Sequence, residues 1–287
     1  MPEGHTIHAL AARLDRAFAG RQLAASSPQG RFAVEAGQLD GRRLLSSSAA
    51  GKHLFVAFED DLLLHVHLGL IGQFPVKPLT DAVVPAPVGA VRLRLVGPNH
   101  YADLRGPMIC ALITPARMDE VTARLGPDPL ASDADGERAW QRIHSSRKAV
   151  AELLMNQSFV AGVGNVYRCE VLHRHALDPF VPGRELSRGA WERIWGDLVG
   201  LLPLGVSFSQ ILTMDDQVVE ARQLVADGTA AAHEATLTGE RLGDWFERRF
   251  HVYQRTGEPC HRCGTTITDQ AVAGRRLYWC PGCQRDN

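Results

Sequence analysis

Two closely spaced cysteine pairs near the end of the chain constrain its fold more than any other feature. Cys260 and Cys263 form one Cys-x-x-Cys pair, and Cys280 and Cys283 form a second after sixteen intervening residues. Two such pairs at this separation match a tetrahedral four-thiolate zinc site, with each pair on a tight turn and a hairpin between them. Four thiolates leave no open coordination position, so the sequence predicts one structural Zn²⁺ ion. His261, inside the first pair, is an alternative ligand that we do not favour.

The rest of the composition is ordinary for a globular protein. The 287 residues are 45% hydrophobic and 22% charged, with a formal net charge of −1. Bulk charge therefore gives no argument for a nucleic-acid partner, and any such surface must come from local clusters of Arg and Lys. We find no secretory leader and no apolar run that could span a bilayer, so we expect a cytoplasmic protein with no membrane partner. Cys110 and Cys169 are expected to be buried thiols.

The first half of the chain predicts one helix followed by strands. Apolar residues recur at helical spacing from Ile7 to Phe18, with Thr6 as a possible N-cap and Gly20 at the end. Such a helix would fix an N-terminus that normally frays. Short runs rich in β-formers then predict a sandwich or barrel, with Asp60-Asp61 as a hairpin turn. These runs are 31–36, 53–58, 62–68, 91–96 and 108–114.

The second half predicts helices and then strands. Residues 116–212 carry helical patterns, whereas residues 214–240 have weak periodicity and predict a loop. The proline-rich stretch from Pro75 to Pro87 also predicts a loop. The tail from Phe250 is strand-like around the cysteines.

The start of the chain could carry an unusual reactive group. Met1 precedes Pro2, which is small enough to permit removal of the initiator Met, and Glu3 follows. A free N-terminal proline carries a secondary amine, and an α-amino group has a pKa far below that of lysine. Such an amine can attack an aldehyde-like carbon and form an iminium, while the adjacent carboxylate moves protons. Many proteins begin Met-Pro, so this reading depends on the other residues.

Three places on the chain suit phosphate binding. Arg275 and Arg276 lie between the cysteine pairs, where a zinc-stapled hairpin would present rigid guanidinium groups. The turn 162–164 leads into Asn165, and a glycine-rich turn at a helix N-terminus can bind an anion. Lys52 opens a predicted strand. Each of these features alone is also compatible with a solvated charge or an ordinary turn.

Several histidines invite a metal-site interpretation. His65 and His67 share one face of a predicted strand, and His5, His8 and His53 precede them. None has an Asp or Glu partner at a convincing spacing, so packed or hydrogen-bonded histidines are the favoured alternative.

Taken together, these motifs resemble the formamidopyrimidine-DNA glycosylase/endonuclease VIII family. The resemblance covers essentially the whole chain. Within the family, the chain is more similar to the endonuclease VIII branch, in particular to its actinobacterial second paralogue. It implies an α+β multidomain fold with an N-terminal β-sandwich flanked by helices (1–118), a linker (119–130), a helical domain with a helix–two-turn–helix motif (131–246) and a zinc-finger β-hairpin (247–287). It also implies a monomer whose partner is damaged DNA, double- or single-stranded, bound across the cleft between the two halves. Such a protein would be associated with the nucleoid in the cytoplasm.

The resemblance implies roles for individual residues. Pro2 would attack the sugar C1′ of a flipped nucleotide, and Glu3 would protonate the opening sugar. Lys52, Asn165 and Arg275 would hold the phosphates that flank the lesion, with Arg275 chosen because it stands five residues before Cys280. Base loss would then be followed by β- and δ-elimination.

The chain also departs from the family pattern. Thr6 stands where many members have a second Glu, which puts proton handling in question. Leu70 stands where one branch of the family has Met, and it is a candidate for the apolar side chain that fills the gap left by the flipped base. After Arg105 the chain reads Gly106-Pro107, so the other branch's inserted Arg and Phe are not both present, and Arg105 is the one candidate there for a DNA contact. This departure favours oxidised pyrimidines over 8-oxoguanine.

Two other classes of protein remain open. A non-catalytic binder of damaged DNA would keep the scaffold and bind in a salt-dependent manner without cleavage. A metallohydrolase built on His65 and His67 would lose activity with chelators but not with loss of Pro2.

Overall fold

The computed structural model describes residues 2–80, 83–230 and 244–285. These residues form two compact units, one of residues 2–124 and one of residues 125–230 with 244–285. The division therefore falls inside the predicted linker. No helix in the described ranges is long and apolar enough to cross a bilayer.

The N-terminal unit is a sandwich of two four-stranded antiparallel sheets with flanking helices, as predicted. One sheet has the order β1-β6-β7-β5 and the other β2-β3-β4-β8. The strands are β1 (Ala24–Ser26), β2 (Leu44–Ala50), β3 (His53–Phe58), β4 (Leu63–His67), β5 (Val76–Pro78), β6 (Val91–Val96), β7 (His100–Arg105) and β8 (Ile109–Ile113). The helices are α1 (Gly4–Phe18), α2 (Ala33–Leu39) and α3 (Pro115–Ala123).

One hydrophobic core serves this whole unit. Both sheets and α1 contribute fully buried side chains to it, for example Leu14, Val56 and Leu93. Because α1 packs on β2 and β3, the start of the chain is held against that sheet. The predicted hairpin turn is confirmed, since Asp60 and Asp61 have φ of 61° and 56°.

The C-terminal unit contains helices and one hairpin. The helices are α4 (Gly136–His144), α5 (Val150–Met155), α6 (Asn165–Arg174), α7 (Arg188–Phe208) and α8 (Asp215–Ala226). The hairpin pairs β9 (Thr268–Val272) with β10 (Arg275–Trp279) in antiparallel register. Buried side chains of the helices and of the hairpin, such as Tyr167, Trp191 and Leu277, share one core.

Three predictions of local structure are wrong. The expected strand 31–36 is largely helix α2, because Ala36 and Leu39 are buried three residues apart on one face. The expected loop 214–240 begins with α8, whose Val218 and Ala221 are buried with the same spacing; residues 231–240 lie outside the described part of the chain. The expected loop 75–87 includes strand β5, which pairs with β7.

Candidate functional site

The N-terminus is fixed by the first turn of α1. Pro2 is half-buried, and Glu3 is fully buried and is the N-cap of the helix. The backbone N–H of Glu3 donates to Oγ1 of Thr6 at 3.4 Å, and the two residues form a capping box. The prediction of Thr6 as the N-cap is therefore wrong, because the helix begins earlier, at Gly4. Glu3 is thus fixed to the first turn of α1 through its capping box with Thr6.

Lys52 lies in the turn between β2 and β3, in the sheet against which α1 packs. His5 in the first turn of α1 is buried, and this burial lowers its pKa to about 3, with nearby cations that include Lys52 adding to the effect. The structure places Pro2, Glu3 and Lys52 in one region of the N-terminal unit.

The histidines of β3 and β4 are packed against one another. His53 Nδ1 and His65 Nε2 are hydrogen-bonded at 2.9 Å, and His67 Nδ1 accepts the backbone N–H of Gly69 at 3.1 Å. Burial lowers the pKa of His53 and of His65 to about 4. Ring nitrogens committed in this way are poor metal ligands, and the described residues contain no metal-binding group built on these histidines. The packed interpretation is therefore favoured over the metallohydrolase.

An exposed apolar tip follows β4. Leu70 is 45% exposed, and the neighbouring Ile71 and Met108 are 81% and 68% exposed. The tip is compact, since a Cβ built on Gly69 (φ 71°) would lie 3.2 Å from Met108 Cβ. Sequence reasoning singled out Leu70 but missed Ile71 and Met108, whose exposure has no signature in a short apolar run.

Arg105 is committed to its own unit. Its guanidinium donates to Asp103 Oδ2 and to the Val88 carbonyl oxygen, each at 2.8 Å, and Asp103 also binds the buried Arg94. The structure therefore places Arg105 in a structural network at the end of β7.

In the C-terminal unit, Gln157 shapes the turn that precedes α6. Its side-chain amide donates to the Val163 carbonyl at 2.9 Å, and its oxygen accepts the N–H of Gly162 at 3.0 Å. Gly162 has φ of 83°, a conformation that favours glycine. Because the Gly162 N–H is already used, it is not the anion donor that the glycine-rich turn suggested.

Asn165 is the first residue of α6, after the N-cap Gly164, and is 5% exposed. Its amide nitrogen donates to the Arg276 carbonyl at 2.9 Å, and its oxygen accepts from Arg168. An amide has two N–H groups, so at most one is left for a phosphate. The structure thus joins the predicted Asn165 to the arginine hairpin.

The hairpin presents its two arginines differently. Arg276 is exposed and lies 3.1 Å from the largely buried Asp269 in an ion pair, whereas the described residues show no ion pair of Arg275. Arg275 directly follows the turn residues Ala273 and Gly274, which have φ of 50° and 72°. This arrangement is consistent with the choice of Arg275 as the phosphate ligand.

The four cysteines converge as a zinc site requires. Their Sγ atoms all lie within 4.8 Å of one another, with 3.4 Å between Cys263 and Cys280 and 3.8 Å between Cys260 and Cys283. A zinc–sulfur bond of about 2.3 Å gives tetrahedral S–S edges of about 3.8 Å. The donor set therefore fits one structural Zn²⁺, and His261 is not part of the cluster.

Helix α6 runs beside the whole zinc hairpin. Glu170 in its middle is fully buried and accepts the backbone N–H groups of His251, Val252 and Tyr253 at 2.8–2.9 Å. Cys169 Sγ accepts the Tyr278 N–H at 3.4 Å. These bonds fix the segment that leads into the finger, and sequence reasoning missed both roles because the partners lie about a hundred residues away.

A β-sandwich, a helix–two-turn–helix segment and a zinc hairpin in this order define a class of zinc-containing DNA glycosylases. Three family models match in the same order: the formamidopyrimidine-DNA glycosylase N-terminal domain (1–107), its H2TH domain (125–216) and the zinc finger found in FPG and IleRS (257–285). Endonuclease 8 1 of Mycobacterium tuberculosis is 44% identical over 99% of this chain and 100% of its own length. The chain belongs to the formamidopyrimidine-DNA glycosylase/endonuclease VIII family.

Further comparisons refine this placement. The probable endonuclease 8 2 of Streptomyces coelicolor is 32% identical over 99% of this chain and 94% of its own length. The chain is thus more similar to the proteins named Endonuclease 8 1, which differs from the expected second paralogue. Lactococcus lactis Fpg in complex with abasic-site DNA has the same fold, with a TM-score of 0.77 at 22% identity over 99% of this chain and 100% of that one.

Proposed function

We propose that the protein is a bifunctional DNA glycosylase and abasic-site lyase that removes oxidised bases, with pyrimidines favoured, through a Schiff base at Pro2. The observation that carries this proposal is the fixed N-terminus, where Glu3 caps α1 and α1 packs on strands β2 and β3, whose connecting turn holds Lys52. A terminal amine held in this way is preorganised for attack, unlike a frayed one.

The chemistry requires Pro2 without Met1, because only then is its nitrogen a free secondary amine. Its lone pair forms a bond to C1′ while the C1′–base bond breaks and the base leaves with the electron pair. The nitrogen then loses its proton, and its lone pair forms the C1′=N bond of the iminium as the C1′–O4′ bond breaks. Glu3 protonates the departing O4′ as the sugar opens. Loss of a C2′ proton then expels the 3′ phosphate, and a second elimination expels the 5′ phosphate.

Cationic and amide groups of both units would hold the DNA strand. Lys52 from the N-terminal unit, and Asn165 and Arg275 from the C-terminal unit, are proposed to bind the phosphates that flank the lesion. Charge-assisted bonds of this kind fix the register of the strand but do not read its sequence. Chromosomal DNA as substrate would place the enzyme in the cytoplasm, at the nucleoid.

The preference for pyrimidines is supported by the apolar tip. Leu70, with the more exposed Ile71 and Met108, is proposed to fill the space left by the flipped nucleotide. Arg105 is bonded to Asp103 and Val88, so its guanidinium would have to leave this network to enter the DNA. The tip therefore offers apolar filling in place of an arginine contact.

Borohydride trapping on abasic DNA tests the proposal. Reduction of the iminium should link the processed protein to DNA, and peptide mass analysis should place the link on Pro2. Glu3→Gln should slow base removal by roughly 10²–10⁴-fold, the usual contribution of a general acid–base group. A form extended before Pro2, whose nitrogen is then an amide, serves as the matched control and should not trap.

Two outcomes would contradict this chemistry. Trapping by the extended form, or a link on a lysine, would assign the reaction to another amine. Tight salt-dependent binding of abasic DNA with neither trapping nor cleavage would identify the non-catalytic binder, the alternative that the Thr6 departure from the family pattern keeps open.

A further inference from the structure

The C-terminal end of α6 lies directly against the first cysteine pair of the zinc site. His173 in the last turn is 1% exposed, and its Nε2 lies 3.4 Å from Cys260 Sγ. Arg262, between the two cysteines of this pair, donates to the carbonyl oxygens of His173 and Arg174 at 3.1 and 3.3 Å. Helix C-termini favour such cationic donors, so the knuckle and the helix end form one bonded unit.

The zinc chemistry decides which atom carries the proton. A zinc-bound Cys260 is a thiolate and can only accept a hydrogen bond, so His173 Nε2 must carry the hydrogen. His173 Nδ1 is then a bare acceptor, and it has no hydrogen-bond partner among the described residues. A buried acceptor without a partner is less unusual than a buried donor without one, which favours the same tautomer.

The His173 ring is also held in orientation. It stacks on His251 with ring centroids 5.1 Å apart and planes 27° apart, and His251 Nε2 lies 3.1 Å from the Thr213 carbonyl oxygen. Neighbouring Glu170 fixes the His251 backbone at 2.8 Å. The imidazole therefore cannot rotate away from Cys260 without breaking the stack.

We propose that His173 is an outer-shell residue of the zinc site, which donates Nε2–H to the Cys260 thiolate, orients it and lowers its reactivity. A hydrogen bond withdraws electron density from the sulfur, so the thiolate attacks electrophiles more slowly and keeps the metal longer.

Zinc release distinguishes this role from simple packing. With iodoacetamide, a cysteine sulfur attacks the methylene carbon, iodide leaves and zinc is lost to a chromogenic chelator. Because Cys263 is exposed and Cys260 is buried, peptide mass analysis follows alkylation of Cys260 alongside zinc release. His173→Phe keeps a ring but removes the donor and should accelerate release roughly 10–100-fold. His173→Gln places an amide N–H near the position of Nε2 and should restore most of the slow rate. His261→Gln, at an exposed histidine of the same knuckle, is the matched control and should leave it unchanged.

A second measurement, by NMR, uses the wild-type sequence and so does not depend on the folding of a variant. In protein substituted with ¹¹³Cd, ¹⁵N shifts should identify the Nε2–H tautomer of His173, and its ring proton should couple to the metal through sulfur. Release from His173→Phe at the wild-type rate, or an Nδ1–H tautomer in the metal-loaded protein, would overturn the proposal.

Discussion

Two hairpins in this molecule present a cation beside a turn, and they are made rigid by different means. In the β2–β3 hairpin, Lys52 follows Gly51, which has φ of 56°; in the β9–β10 hairpin, Arg275 follows Gly274, with φ of 72°. The first lies in a four-stranded sheet over a hydrophobic core. The second has only two strands and depends on four cysteines and on α6. A rigid hairpin that carries a cation therefore requires a metal only where its sheet is too small to be stable by itself.

Removal of zinc should separate the two hairpins most clearly. Structural zinc contributes about 10–16 kcal/mol in small zinc domains, more than a two-stranded sheet can replace. We expect chelation under reducing conditions to reduce cleavage of abasic DNA at least 100-fold. Hydrogen exchange should then become fast over 268–279 and stay slow over 53–67.

A matched pair of cysteine variants checks this result. Cys280→Ser removes a ligand and should reproduce the effect of chelation, whereas Cys110→Ser changes a half-buried thiol outside the cluster and should not. Slow exchange over 268–279 without metal would show that α6 alone supports the β9–β10 hairpin. The proposed difference between the two hairpins would then be wrong.

The sequence predicted these two hairpins unequally. The zinc hairpin was evident because metal ligands have a strict spacing that survives without tertiary information. Strand β3 was also evident, since 53–58 is rich in β-formers. Its partner β2 was not predicted, because Leu44–Ala50 contains three serines and two alanines and takes its register from β3.

The contacts that connect the site were beyond sequence reasoning for a related reason. Gln157 lies in the turn before α6, and Glu170 and His173 lie in α6; for polar residues in a stretch with a helical pattern, the usual interpretation is a solvated surface. Glu170 meets residues 251–253 and His173 meets Cys260, and no local pattern encodes pairs at such separation. The reverse error occurred at 31–36, where short-range β-propensity was overridden by burial of one helical face of α2.

Substitution of the hairpin arginines should have a smaller effect, confined to the DNA. Arg275→Ala removes the proposed phosphate ligand and should weaken binding of abasic DNA about 10- to 100-fold, since a charge-assisted hydrogen bond is worth about 1.5–3 kcal/mol. The slope of log K against log salt should fall by about one. Fluorescence anisotropy titrations at several salt concentrations measure both quantities.

The neighbouring arginine is the natural control for this experiment. Arg276→Ala removes a side chain that is 67% exposed and already paired with Asp269, so its guanidinium is less available to a phosphate than that of Arg275. It should therefore change binding less than Arg275→Ala. A larger effect of Arg276→Ala would instead assign the phosphate contact to Arg276, on the other face of β10.

Acid should produce the smallest effect, and in the β2–β3 hairpin it should act through His53 and His65. Burial lowers the folded-state pKa of His53 and His65 from 6.5 to about 4, so the unfolded chain takes up protons first as the pH falls. The stability that neutral histidines provide is complete above pH 6.5 and is lost progressively toward pH 4. Urea unfolding of 53–67, followed by hydrogen exchange between pH 7 and 5, should show this loss. His53→Gln with His65→Gln should flatten the pH dependence, and an unchanged slope in the double variant would assign the acid sensitivity to other groups.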